Sequence, residues 1–340
     1  MSTEFDDALV PRPDAVHHDR FFDRFMLNLH PADATAPSVI TGLGHYPARN
    51  VVDGFVVVTT GTEQRNVRFS TELSATSGAG AGPLAFEIIE PNRRWRLRVA
   101  DNPAGVAFDV VWTARTPYWL REVELGNNAG PPTKFEHLVQ SGRYRGSLTL
   151  DGATHRVDGW YGQRDRSRGV RNMGGGQGLH LWCQAQFPDR SIGFLLVEDR
   201  AGERLLAEGA VLHEDGTVDD VVDVGHRLAF SDLDLIAGTV AVRTAAGRVY
   251  HLEADASAGG GFMAGAGYGG GHGVRRGRGY LDHEVYRLDG PVSPRTLDTS
   301  LTDRLCAFRW GSTEGTGILE FALTRSESYR YRPTLRWRCP

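Results

Sequence analysis

The chain has 340 residues, 40% of them hydrophobic, with 42 acidic against 38 basic side chains and a formal net charge of −4. This is enough apolar chain for two ordinary domains or one large β architecture, and the acidic balance argues against a general binder of phosphate backbones, leaving nucleic acid out of the expected partners. No run approaches the length of a membrane-spanning helix, and the acidic start Met-Ser-Thr-Glu-Phe-Asp-Asp lacks the basic-then-apolar order of a secretory signal, so a cytoplasmic protein without stable membrane insertion is expected.

In chain order, Asp19 to Leu29 reads as a short helix. Runs of β type follow at Phe55 to Thr60, Val67 to Leu73, Phe86 to Ile89, Trp95 to Val99 and Ala107 to Ala114, each bounded by turn residues. A loop rich in Asn, Gly and Pro, Leu125 to Thr133, separates this region from one that opens near Phe135, which sets the expected domains at 1–145 and 146–340. The second region continues with Gly146 to Leu150, His180 to Phe187, Ile192 to Val197, Thr239 to Arg243, Val249 to Ala254 and Leu319 to Leu323, with Pro294 to Cys306 as the other short helix. Asp53-Gly54, Asp151-Gly152, Asp215-Gly216 and Ala246-Gly247 are hairpin signals. Short strands spaced by roughly 8 to 12 residues, with so little helix, point to antiparallel sandwiches or barrels and away from a doubly wound nucleotide fold.

The chemistry concentrates in two segments. Gly159 to Arg171 packs four arginines, Asp165, Trp160 and Tyr161 into one stretch. Either solvent covers these guanidinium groups or the segment lines a polar pocket in which Arg164 and Asp165 orient one another. Burial in an apolar barrel would raise the Asp165 pKa and let it donate a proton, whereas Arg164 beside it would push the other way. Gly259 to Gly273 is glycine-rich but interrupted by Phe262, Met263, Tyr268 and His272, which suits a tight backbone path presenting a few large side chains to a cavity. With His180 and Trp182 from the run His180 to Phe187, these give the candidates: Asp165, Arg164, His180, Tyr268 and His272 for catalysis, and Trp160, Tyr161, Arg166, Trp182 and Phe262 for substrate binding. The bland alternatives are a strand-end ion pair for Asp165, an inward strand histidine for His180 and packing for the aromatics.

Other chemistries fit poorly. Lys134 is the only lysine, which leaves little room for a Schiff base or a phosphate loop, and Gly169 to Gly178 lacks the Gly-Lys-Ser/Thr ending. The glycines near 265–273 have no strand and helix around them to make a dinucleotide site. Cys183, Cys306 and Cys339 are far apart and read as reduced, mostly buried thiols. The twelve histidines form no i, i+4 pair of the helical zinc type, and no Gly-x-Ser-x-Gly elbow occurs. No metal and no cofactor are therefore expected; the expected partner is a hydrophobic small molecule, with a homodimer left open.

Gly142 to Gly152, Val157 to Arg171 and His180 to Phe187, taken in that order, resemble the superfamily of tandem lipocalin-like proteins that contains carotenoid 1,2-hydratase (hydroxyneurosporene synthase) and the AttH-like proteins. Gly267 to Gly273, the N-terminal part from Phe21, Arg93 to Leu97 and Phe108 to Ala114 resemble its uncharacterised branch, so the resemblance covers most of the chain. It implies an all-β fold of two calycin-type antiparallel barrels in tandem, with a pocket between or within them. It also implies cofactor-independent chemistry on hydrophobic unsaturated molecules, since members include hydratases of isoprenoid double bonds and pericyclases that close polyketide rings. Asp165 falls where the hydratases carry the aspartate of a His-Asp-His-Asn-type motif and there resembles the proposed proton donor. Here Arg164 and Arg166 replace the flanking histidines, Ser167 the asparagine, and Arg168 a usual tryptophan. This basic setting shifts the expectation from carotenoid hydration toward a polar or acidic group on an otherwise apolar ligand. The alternative is a non-catalytic binder whose arginines hold an acidic head group. The segment is expected on a strand of the second barrel.

Overall fold

A computed structural model describes residues 5–9, 18–35, 37–125, 133–170, 177–231, 234–268, 270–288 and 299–324. Strands dominate it. The first sheet is built from β1 (Phe21–Leu29), β2 (Ser38–Tyr46), β3 (Val51–Thr59), β4 (Glu63–Glu72), β5 (Gly80–Ala81), β6 (Leu84–Glu90), β7 (Arg94–Val99), β8 (Val106–Ala114), β9 (Trp119–Leu125), β10 (Thr133–Leu150) and β11 (Ala153–Val170). The second uses β12 (Gln177–Phe187), β13 (Arg190–Asp199), β14 (Arg204–His213), β15 (Val218–Ser231), β16 (Asp234–Thr244), β17 (Val249–Asp255), β18 (Gly260–Phe262), β20 (Thr299–Trp310) and β21 (Thr313–Thr324). One strand of the later chain, β19 (Tyr280–Arg287), leaves the second sheet and pairs antiparallel with β4 of the first, Tyr280 opposite Ser70.

The second sheet closes. Its order β17-β16-β15-β14-β13-β12-β21-β20 returns to β17 through Leu252 to Asp255 pairing with Ala307 to Trp310, making an eight-stranded barrel. The first sheet, β19-β4-β3-β2-β1-β11-β10-β8-β7-β6-β5, curls without closing, and β8 and β9 share one edge of the long strand β10. This is the all-β, tandem lipocalin-like architecture, with one member a curled half-barrel. Residue 145 lies within β10, at a register shift, and the chain first enters the second sheet at Gln177. The arginine-rich segment is the second half of β11 and so belongs to the first sheet, which corrects its expected place on the second barrel.

Both expected helices are corrected where they are described. Phe21 to Leu29 is β1, nearly all buried, because Phe25, Leu27 and Leu29 join the core of the curled sheet while Met26 packs against the barrel. A strand covered on both faces loses its alternation, and without a period of two it cannot be separated from a helix by pattern. Residues 299–306 start β20, paired on both sides; 294–298 lie outside the described residues. Three hairpin signals stand as turns: Asp151 and Gly152 both take positive φ between β10 and β11, and Gly216 and Gly247 do so after β14 and β16. Asp53-Gly54 instead sits in mid-β3, where the bare Gly54 leaves room for the Leu84 side chain.

Three apolar layers result. Trp95, Trp112, Phe25, Phe69, Phe86 and Tyr144 fill the curl. Leu181, Phe187, Phe194, Tyr250, Phe308 and Phe321 fill the barrel, with Cys183 and Cys306 as buried free thiols among them. Between the sheets, Met26, Ile40, Phe55 and Val57 of the first meet Trp182, Leu195 and Val197 of the second, with Met263 and Ala266 from the glycine-rich segment. That middle layer organises the site.

Candidate functional site between the sheets

Side chains alternate along a strand, so neighbours on β11 face opposite ways. Arg164, Arg166 and Arg168 point into the curl. Arg164 is fully buried, ion-paired to Asp7, bonded to Gln140 Oε1 at 2.9 Å and Asn92 Oδ1 at 3.2 Å, and stacked over Trp95 and Trp112 at 5.1 and 5.5 Å. Asp7 also accepts from Asn92 N and Trp95 Nε1. Burial pulls the Arg164 pKa down from its ordinary value, and the adjacent Asp7 opposes this. Arg166 donates to both oxygens of Asp23, at 2.9 and 2.7 Å, and to the carbonyls of Asp6 and Ala8. Arg168 donates to Glu136. The first two arginines thus tie residues 5–9 into the mouth of the curl, and the expected Arg164–Asp165 partnership is corrected: the two side chains lie on opposite faces of the sheet.

Asp165 faces the barrel. Its Oδ2 accepts from His137 Nε2 at 2.6 Å, and His137 Nδ1 donates to Glu208 Oε1 of β14 at 2.9 Å, so one hydrogen-bonded chain runs from the curled sheet to the barrel. Burial by itself would lower the His137 pKa. Asp165 and then Glu208 outweigh it and push the imidazole up to about 10, which makes it a cation between two carboxylates at neutral pH.

A second polar unit comes from the barrel wall. His180 Nε2 donates to Glu320 Oε1 at 2.9 Å, and Glu320 stands directly cross-strand from Asp303, the three spanning β12, β21 and β20. Asp303 and Glu320 are both buried. Loss of solvent, followed by repulsion from Glu320, raises the Asp303 pKa well above its ordinary value, which favours the protonated acid there. Trp182, opposite Glu320 in the register, carries this unit to the apolar layer.

The glycine-rich segment supplies the third side. After β18 it makes one 3-10 turn over Met263–Ala266, and Gly273, at φ +67°, passes so close to the Tyr46 ring that a side chain there would collide with it. Gly273 N donates to Asp53 Oδ2 at 2.6 Å, anchoring the segment on β3. Tyr268 and His272 stack edge to face at 4.8 Å, both beside Phe55, and Tyr268 OH reaches Met26 Sδ at 3.7 Å. Arg24 bonds Tyr46 OH at 2.7 Å and lies 5.4 Å from the Tyr268 ring centre. Met26 is the cross-strand neighbour of Asp165, so the middle layer touches Asp165, Tyr268 and Trp182 together.

Of the residues singled out from sequence, Asp165, His180, Tyr268, His272 and Trp182 therefore border this layer. Arg164, Arg166 and Trp160 belong to the inside of the curl. Tyr161 lies between the Arg115 and Arg143 guanidinium groups, 4.9 Å from each, and Phe262 is pinned through its backbone by the Gln64 side chain. His137, Glu208, Glu320, Asp303 and Arg24 escape sequence reading. Glu320 alone leaves a signal, an acid inside the apolar run Ile318-Leu-Glu-Phe-Ala322. A cavity of about 680 Å³ opens elsewhere, at the end of the curl near Leu9, Thr71, Leu84, Phe86 and Arg98, and holds none of these residues. Among the described residues no group of three or more His, Cys, Asp or Glu is placed to hold a metal ion, and no helix is long and apolar enough to cross a membrane.

Comparison with solved structures places the fold. The AttH-like protein of Nitrosomonas europaea superposes with a TM-score of 0.64 at 12% identity, over 95% of this chain and 97% of that one. Kievitone hydratase from Nectria haematococca gives 0.55 at 10% identity, over 94% and 93%, and CghA gives 0.50 at 10%, over 95% and 96%. At such identities the likeness speaks to the fold, which is the tandem lipocalin-like one that the sequence resemblance implies. No curated protein matches the sequence. A family model does match, over residues 9–329, and the chain accordingly belongs to a family of unknown function, DUF8625.

Proposed function

We propose that the protein is a cofactor-independent hydratase or isomerase/cyclase acting on a hydrophobic, unsaturated small molecule of isoprenoid or polyketide type in the layer between the curled sheet and the barrel. The observation that carries this reading is the pairing, around one apolar layer, of two buried cross-strand acids that push the Asp303 carboxyl toward its protonated form (Asp303 beside Glu320) with a carboxylate fixed by a histidine cation (Asp165 on His137). A carboxyl pushed toward its protonated form and a carboxylate hydrogen-bonded to a histidine cation supply a proton donor and a proton acceptor at one apolar layer. In this reading Asp303 protonates the unsaturated carbon, and Asp165 takes a proton from the attacking water or from the neighbouring carbon. Trp182, Met26 and Phe55 hold the apolar body of the substrate. A hydratase stands among the structural neighbours, which supports the class without naming the substrate.

The competing reading, a binder that grips an acidic head group through Arg164 and Arg166, draws no support from their geometry, because both already serve Asp7 and Asp23. The test is mass spectrometry of lipophiles that co-purify with the chain, followed by incubation of each recovered compound with the protein. Conversion by the wild type, reduced by roughly 10²-fold or more in Asp165→Asn and in Asp303→Asn, is the expected result. Full turnover in both folded variants, or retained binding with no conversion by the wild type, would remove the reading.

A further inference from the structure

Deeper in the same interface lies a cluster of uncharged polar side chains that the proton-transfer groups do not use. Asn28 of β1, Ser141 of β10 and Gln163 of β11 meet Gln184 and Gln186 of β12, with His30 and Thr316 at the border, and every one of them is at most 2% exposed. Gln163 stands between Ser141 and Asn28 in the sheet. Asn28 bonds across to Gln184, and Ser141 to Gln186. Opposite Gln163 the barrel presents Gly193, whose missing side chain leaves space with the Gln163 amide 3.8 Å from where a Cβ would be.

The orientation of three amides, Asn28, Gln184 and Gln186, is fixed by their partners. Asn28 Oδ1 accepts from the Gln163 backbone N–H, so Asn28 Nδ2 is the donor to Gln184 Oε1, and the Gln184 NH2 must point away. Gln186 Oε1 accepts from Arg115, which can only donate, at 2.9 Å, so its NH2 must also point away. Neither nitrogen meets a protein acceptor, nor does Gln163 Nε2. Each unmet buried donor costs about 1–3 kcal/mol. His30 completes the set with the opposite need. Its Nδ1–H donates to Pro31 O at 3.0 Å, leaving Nε2 as an unpartnered, fully buried lone pair, and burial pulls its pKa down to about 4, which keeps the ring neutral.

We infer that Gln163, Gln184, Gln186 and His30 line a binding site for an uncharged hydroxyl oxygen, which accepts N–H bonds from two of the three amides, one for each lone pair, and donates its own proton to His30 Nε2. A carbonyl would satisfy the amides but not His30, and an anion would face the His30 lone pair, so the occupant is a water molecule or a substrate hydroxyl. As the store of the water consumed in hydration, the site rests on the proposed function; as a hydroxyl site it stands apart from it.

A high-resolution crystal structure of the full chain tests the site directly, alongside crystals soaked in methanol as the hydroxyl probe. The expected result is an oxygen within about 3.2 Å of His30 Nε2 and of at least two of the three amide nitrogens, lost in the near-isosteric variants Gln163→Met and Gln184→Met. Water that resists methanol assigns the site to water; methanol in its place assigns it to a substrate hydroxyl. Amides turned onto protein acceptors with no oxygen between them overturn the inference. Reaction in ¹⁸O-labelled water separates this outcome from the fate of the proposed function. Gln163→Met is expected to lower the rate of label incorporation about tenfold, the equivalent of one hydrogen bond. Product without label from the wild type would remove hydration and leave the crystallographic result untouched.

Discussion

The two faces of β11 offer a controlled contrast, since they share one backbone and one stretch of sequence. The face turned into the curl carries three arginines, and each has an acid, a carbonyl or an aromatic ring fitted to it. The face turned toward the barrel carries Gln163, Asp165 and Ser167, with one carboxylate bonded to a histidine and one amide whose donor is unmet. Charge density on a strand is therefore a poor guide to chemistry. On this strand the guanidinium groups of Arg164 and Arg166 are ion-paired and hold structure together, and the proposed chemistry is assigned to the opposite face, where Asp165 shares a hydrogen bond with a histidine cation.

The largest expected effect comes from unmatching the structural face. Asp7→Ala leaves the Arg164 guanidinium buried and unpaired and is expected to cost about 3–5 kcal/mol in denaturant unfolding, whereas Asp7→Leu combined with Arg164→Met should recover most of that loss. A double variant as unstable as the single one would show that the ion pair itself, rather than its disruption, governs stability. Next in size is Asp165→Asn on the other face. It should lower turnover by roughly 10²-fold and move the His137 titration, followed by NMR, downward from about 10. Unchanged His137 titration would break the assignment of Asp165 as its main partner.

The pH dependence follows from the same histidine. Its folded pKa lies above its unfolded value near 6.5, so the folded state binds the proton more tightly. The stabilisation is complete below about 6.5 and disappears as pH rises through about 10. The melting temperature should fall across that window, and His137→Gln should flatten the decline; a flat wild-type profile would contradict the buried cation. The last stability effect has the opposite sign and comes from Asp303→Asn. A raised carboxyl contributes its full stability only below the unfolded value near 3.8 and loses it as pH climbs toward the folded pKa, so the amide should match the wild type near pH 3 and melt progressively higher than it as pH rises to neutral. A large loss at neutral pH would mean that Asp303 is ionised and paired.

Much of the fold was legible because turns and alternation are local. Phe55 to Thr60, Trp95 to Val99 and Ala107 to Ala114 lie within or almost within observed strands, and Asp151-Gly152 turns where the dipeptide says it should. β1 was not legible, since a strand buried on both faces shows no period of two. For the site, the choice of Asp165 needed only an acid among arginines, and the alternation rule was enough to separate it from Arg164. Its true partners were out of reach: His137 and Glu208 come from two other strands, and which residues stand opposite is set by register, which no single segment records. Tyr268 and His272 could be singled out because large side chains among glycines are conspicuous, but their destination depends on a 3-10 turn and on the Asp53 anchor.

β19 gives the chain a schedule. Residues 280–287 lie some two hundred positions beyond their neighbour β4, and they supply the hydrogen-bonding partner for that strand's outer edge. A ribosome finishes β1 to β11 long before it reaches Tyr280, so during synthesis the curled sheet carries a bare edge that only the later chain can cover. Cutting the gene between the two sheets would make that temporary exposure permanent. The first half alone should associate or aggregate along β4, and a peptide spanning Tyr280 to Arg287, added in trans, should suppress this by taking the vacant lane.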